Sequence, residues 1–130
     1  MEELIIVAGA NKLEIGWLRR CLREHGYRSI PCKTAKQIAE ELEILPTCNA
    51  SVALVIIEPK ILKDLNDDLI LQLSEYAPEV PFLLFNDVNV QSDLMDVFEK
   101  ICKYRIQFRP EQNLKLAEIL WESGVEVARS

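Results

Sequence analysis

Few side chains in this 130-residue sequence are placed to do chemistry. Four short polar turns follow apolar runs: Gly9-Ala10-Asn11, Glu58-Pro59-Lys60, Asn86-Asp87 and Arg109-Pro110. A phosphate-cradling loop needs several glycines or hydroxyl donors between strand and helix. The stretch from Ala8 to Leu13 has one glycine, no hydroxyl and no Gly-Lys-Ser/Thr ending, so it matches neither the P-loop nor the dinucleotide fingerprint. A flavin-phosphate loop would also want hydroxyls there, and a catalytic cysteine after the first strand is missing. The single histidine, His25, stands beside Gly26 at the end of a helical pattern and reads as a helix C-terminal residue. Cys21, Cys32, Cys48 and Cys102 contain no C-x-x-C pair, and one histidine cannot complete a zinc site. With no secretion signal to imply a disulfide framework, they read as partly buried free thiols. No enzyme is expected.

The elements that carry these turns can be read from hydropathy. Leu4–Ala8, Val52–Ile57 and Val80–Phe85 are continuous apolar runs, the mark of parallel strands covered on both faces. Arg28–Cys32 and Arg105–Phe108 read as two weaker strands, the latter alternating like an edge. Between them lie helical patterns. Leu13, Trp17, Leu18, Cys21 and Leu22 recur on one face, with Asn11 and Glu14 at capping-box spacing and Gly26 as the stop. Thr34 and Gln37 form a similar box before Ile38, Leu42 and Leu45, and Pro46 ends that helix. Further helices are expected near 66–76, with Asn66 or Asp67 capping, near 90–104 and near 111–127. Five β-α units with right-handed crossovers predict an α/β, flavodoxin-like, doubly wound parallel sheet of strand order 2-1-3-4-5 with helices on both faces. Residues 1–130 are expected to be one domain.

Fifteen Lys and Arg against 21 Asp and Glu leave a net charge of -6, which argues against direct nucleic-acid binding as the main activity. No apolar run is long enough to span a membrane, and the start lacks a signal peptide, so a cytoplasmic location is expected. Arg19, Arg20, Arg23 and Arg28 form a small basic cluster, read as an exposed helix face.

Over nearly its whole length the chain resembles the response-regulator receiver family. The resemblance rests on the five β-α units, Leu54–Glu58 in the place of the phosphoacceptor strand, Val80–Asn86 in the place of the fourth strand, and Phe108-Arg109-Pro110 in the place of a Lys-Pro pair. In that family an acidic pair after the first strand holds magnesium, an aspartate after the third strand takes a phosphoryl group, and a Thr/Ser and a Lys read the phosphate. Every one of these positions departs from the pattern here. Gly9 and Ala10 stand for the acidic pair, or Ala8 and Gly9 in the other register. Glu58 stands for the aspartate, Asn86 for the hydroxyl, Arg109 for the lysine, and Ile106 for the switching aromatic.

The resemblance therefore implies a degenerate, phosphorylation-independent receiver without a cofactor, its Mg2+ binding weak or absent because hard cations need carboxylate oxygens. The alternatives are a phosphoaccepting receiver or a small-ligand module using the same strand-tip cleft. A Glu58–Arg109 salt bridge between neighbouring strand tips is expected to fill the vacated site; otherwise Glu58 simply faces water. Function is expected through protein–protein contacts in signal transduction or transcription regulation, as a homodimer or with an effector domain. The domain is expected to stand alone or at the amino terminus of a longer regulator. The candidate interaction face comprises Met95, Phe98, Tyr104, Ile106, Gln107 and Trp121. Trp121 and Trp17 each fit either a partly buried core role or an interface anchor.

Overall fold

The computed structural model describes residues 2–76, 79–85, 96 and 104–106. The three continuous apolar runs and the two weaker stretches form five parallel strands, β1 (Glu2–Ala8), β2 (Ser29–Cys32), β3 (Ala50–Ile57), β4 (Phe82–Phe85) and β5 (Tyr104–Ile106). Their order is β2-β1-β3-β4-β5, as the β-α alternation predicts. The helices are α1 (Lys12–Glu24), α2 (Ala35–Ile44), α3 (Pro59–Leu62) and α4 (Asp67–Tyr76), with a 3-10 turn at Leu45–Cys48. The helices expected near 90–104 and 111–127 lie outside the described residues, apart from Asp96, which is helical, and Tyr104, which belongs to β5 instead.

Strand side chains alternate between the two faces, so each strand serves two cores. On one face Ile6, Ala8, Val55, Ile57, Phe82 and Leu84 pack against Ala35, Ile38, Ala39 and Leu42 of α2 and Leu73 of α4. On the other, Ile5, Val7, Leu54, Ile56 and Leu83 pack against Ile15, Leu18 and Leu22 of α1 and against Tyr27. Leu18 and Leu22 are both fully buried. Cutting either back to Ala is expected to cost about 2–5 kcal/mol.

The caps explain where the helices start. Asn11 Oδ1 accepts hydrogen bonds from the backbone N–H groups of Leu13 (3.0 Å) and Glu14 (3.2 Å). Thr34 Oγ1 accepts from the Gln37 N–H at 3.2 Å, while Gln37 Oε1 turns back to the Lys33 N–H. Asn66, of the two candidate caps for α4, places Oδ1 2.8 Å from the Leu69 N–H. His25 terminates α1 with Nδ1 2.8 Å from the Cys21 carbonyl, and Gly26 follows with φ 86°, a left-handed conformation suited to glycine.

Two sequence expectations are corrected in detail, and one element was not expected. Leu13 is 85% exposed, so Ile15 rather than Leu13 anchors the first turn of α1. Pro46 does not itself end α2; the helix stops at Ile44 and the proline sits in the first turn of the 3-10 segment. Pro59 opens a short helix, α3, that periodicity did not reveal, because four residues are too few to show a period.

Candidate functional site

The carboxyl ends of β1 and β3 meet through backbone bonds. Ala8 pairs with Ile57, the Glu58 N–H donates to the Ala8 carbonyl (2.9 Å), and the Gly9 N–H donates to the Cys32 carbonyl (3.0 Å). Strand parity then sets the side chains. Gly9 continues the series Ile5, Val7, and Glu58 continues Leu54, Ile56; both series face α1. A Cβ built on Gly9 would stand 2.6 Å from Glu58 Oε2 and 2.6 Å from Ile15 Cδ1. The glycine thus leaves the space into which the Glu58 carboxylate and the tip of Ile15 pack.

Glu58 is only 5% exposed and is the one charged residue buried among the described residues. Its Oε2 is shielded from solvent and has no hydrogen-bond partner among them. Burial pushes its carboxyl above the ordinary value of 4.5, and the negative field of Glu14 pushes it further. The backbone N–H groups of Ala10 and Asn11, and Lys60, act in the opposite sense. The alternative in which Glu58 faces water is therefore corrected. The additional methylene that distinguishes Glu from Asp lets the carboxylate fold back toward β1 instead of projecting from the strand tip.

Gly9, Ala10 and Glu58 are brought together as the sequence expects, with Gly9 buried and Ala10 exposed. Asn86 and Arg109 lie outside the described residues, as does the expected Glu58–Arg109 bridge. The strand order places β4 between β3 and β5, so those two tips are not neighbours as expected. Of the candidate interaction face, Met95, Phe98, Gln107 and Trp121 are outside the described residues, and Tyr104 and Ile106 are placed by their backbone in β5. Sequence reasoning missed Ile15 and Glu14 as neighbours of Glu58. The signal was available in the parity of β1, which puts Gly9 in phase with Val7 and hence over α1.

Cys21 and Cys32 are buried and Cys48 is exposed, and none of the three forms a disulfide among the described residues. Burial, reinforced by Glu41 and Glu40, pushes the Cys32 thiol up to about 12. Burial also raises Cys21. Trp17 is half-buried against the α1 core. Arg20, Arg23 and Arg28 are exposed as expected, but Arg19 is half-buried. Its Nε and Nη2 donate to Ser29 Oγ and the Ser29 carbonyl, each at 3.2 Å. No described helix is long and apolar enough to cross a membrane.

No protein-family model matches the chain, and no curated protein sequence matches it. Solved structures do. A signal receiver domain of an HD domain-containing protein from Pseudomonas fluorescens aligns over 97% of this chain and 100% of its own, at TM-score 0.70 and 16% identity. A pilus assembly-related protein from Burkholderia pseudomallei aligns over 97% and 92%, at TM-score 0.67 and 20% identity. An atypical orphan response regulator, described as having a phosphorylation-independent regulatory mechanism, aligns over 97% and 99%, at TM-score 0.66 and 14% identity. At these identities the likeness defines the fold: a receiver-like, flavodoxin-type α/β domain.

Proposed function

We propose that this chain is a receiver domain that signals through protein–protein contacts without being phosphorylated. The observation that carries the reading is the burial of Glu58 against Gly9. A phosphoacceptor must present its oxygen to a phosphodonor, and an in-line transfer tolerates little misplacement. Here Oε2 is shielded from solvent by the protein, so it is not presented to a phosphodonor. Neither Gly9 nor Ala10 can supply a side-chain oxygen to hold Mg2+, so the divalent ion that such transfer uses has no carboxylate pair at the end of β1. The similar orphan regulator, described as phosphorylation-independent, is consistent with this reading.

Output then falls to surfaces. A homodimer or an effector contact through the face that includes Met95, Phe98 and Trp121 is the expected route, with an attached or separate regulator as partner. Incubation with Mg2+ and acetyl phosphate, followed by intact-protein mass spectrometry, tests the reading. An unmodified mass is expected, whereas a stoichiometric phosphoryl adduct that disappears in Glu58→Gln would overturn it.

A further inference from the structure

The charge of this acidic chain is unevenly distributed. Between Lys12 and Lys33 stand six Lys or Arg and only two Glu. Several of these cations line one groove between α1 and the outer side of β2. Its larger lobe, about 400 Å³, is lined by Leu4, Gly16, Arg19, Arg23, Tyr27, Arg28 and Ser29. A second lobe of about 230 Å³ shares Gly16 and Arg19 and adds Lys12 and Lys33. No carboxylate lines either lobe among the described residues.

The sequence explains why the groove is open and what it can recognise. Arg19 and Arg23 are four apart on α1 and so share a face. One turn earlier Gly16 has no side chain, and a Cβ there would meet nothing within 4 Å. Arg19 is held in place by its two bonds to Ser29, which fixes a guanidinium at the junction of the lobes. Leu4 and Tyr27 supply an apolar floor.

The free edge of β2 is unsuited to adding another strand. The carbonyls of Arg28 and Cys32 bond inward to β1, so Ser29 and Pro31 present their backbone outward. Pro31 has no N–H, and the Ser29 carbonyl is taken by Arg19. An occupant must therefore be recognised by charge and shape rather than by a backbone ladder. Small-molecule sites commonly span about 300–1,000 Å³ and combine an apolar floor with a few fixed polar groups. Guanidinium forks suit phosphate oxygens.

We infer that the α1–β2 groove binds an organic phosphate of nucleotide size, with its phosphates on Arg19 and Arg23 and its apolar body over Leu4 and Tyr27. The smaller lobe reaches Gly9, Ala10 and Ile15 beside Glu58, but the proposed contacts at Arg19, Arg23, Leu4 and Tyr27 lie in the larger lobe or on its rim and do not depend on how Glu58 is read.

The test is an amide NMR titration of the full chain with ATP, with pyrophosphate, sodium sulfate at matched ionic strength, and an acidic Glu-rich peptide as separate arms. Saturable shifts centred on Gly16, Arg19, Arg23 and Tyr27–Ser29 are expected with ATP, and weaker ones with pyrophosphate. Arg23→Glu is expected to weaken ATP binding by about tenfold or more, since it removes a charge-assisted contact and adds a repulsive one. Gly16→Leu is expected to block binding with the charge unchanged, and both variants should keep the wild-type shift pattern of the core. No saturable shift with ATP, equal shifts with sulfate, shifts located elsewhere, or a response to the peptide alone would overturn the assignment.

Discussion

The Glu58 carboxylate lies in the space that any side chain at position 9 would need: a Cβ on Gly9 would come within 2.6 Å of Oε2. In a receiver-like fold the ends of β1 and β3 are where an acidic pair and a phosphoacceptor would meet. Here position 9 is a glycine and position 58 a glutamate, and the two fit each other. The result is a packed, shielded corner instead of an open anionic cleft.

Placing an acidic residue at the end of β1 should therefore be destabilising. Gly9→Asp would displace the Glu58 carboxylate or the tip of Ile15 and set two carboxylates together. Overpacking of this kind costs about 1–3 kcal/mol. Urea unfolding should show the loss, and Gly9→Asp combined with Glu58→Ala should recover part of it, a non-additive pair as expected for residues in contact.

Glu58 also makes stability depend on pH. Its folded-state carboxyl titrates above the ordinary value of 4.5, so the folded protein binds this proton more tightly than the unfolded chain. The contribution is favourable at pH below 4.5 and is lost as pH rises through the higher, folded-state value. Glu58→Gln should then be more stable than the parent at neutral pH, because the neutral amide avoids placing a buried negative charge in the field of Glu14. The gap should close below about pH 4.5, where both side chains are neutral. Thermal melts at pH 7 and pH 4 check the sign.

Gly16 is exposed in the middle of α1, with open space where its side chain would be. Gly16→Ala should stabilise the fold by about 0.5–1 kcal/mol, because helix interiors disfavour glycine by that amount. Asn11→Ala should cost about 1 kcal/mol by removing the α1 cap. Denaturant midpoints of the two variants should move in opposite directions.

Thiol reactivity should follow burial. Cys48 is exposed, while Cys32 is buried with its thiol pushed up to about 12. Alkylation at mildly alkaline pH with peptide mapping should label Cys48 well before Cys21 and Cys32. Prompt labelling of Cys32 in the native state would show that the core around α2 opens readily.

The parts of this fold that were legible in the sequence are those where local chemistry and long-range packing agree. Continuous apolar runs at Leu4–Ala8 and Val52–Ile57 could only be doubly covered strands, and the Asn11 and Thr34 caps announced α1 and α2. The short α3 was hidden because Pro59 acts as a helix starter only once the strand before it is placed. At the candidate site, residue identities were legible but the conformation was not. Whether Glu58 projects into water or folds under Gly9 depends on a space between β1, β3 and α1 that no single segment encodes. Leu13 misled for a related reason: its type fits the apolar face, but the helix phase set by Ile15, Leu18 and Leu22 turns it outward.

The most direct test of a closed, phosphorylation-independent site is an amide NMR titration of the full chain with Mg2+ and beryllofluoride, a phosphoryl mimic, read at Gly9, Ala10 and Glu58. No saturable shift is expected at these three amides up to millimolar metal. A saturable shift there, abolished in Glu58→Gln, would contradict it.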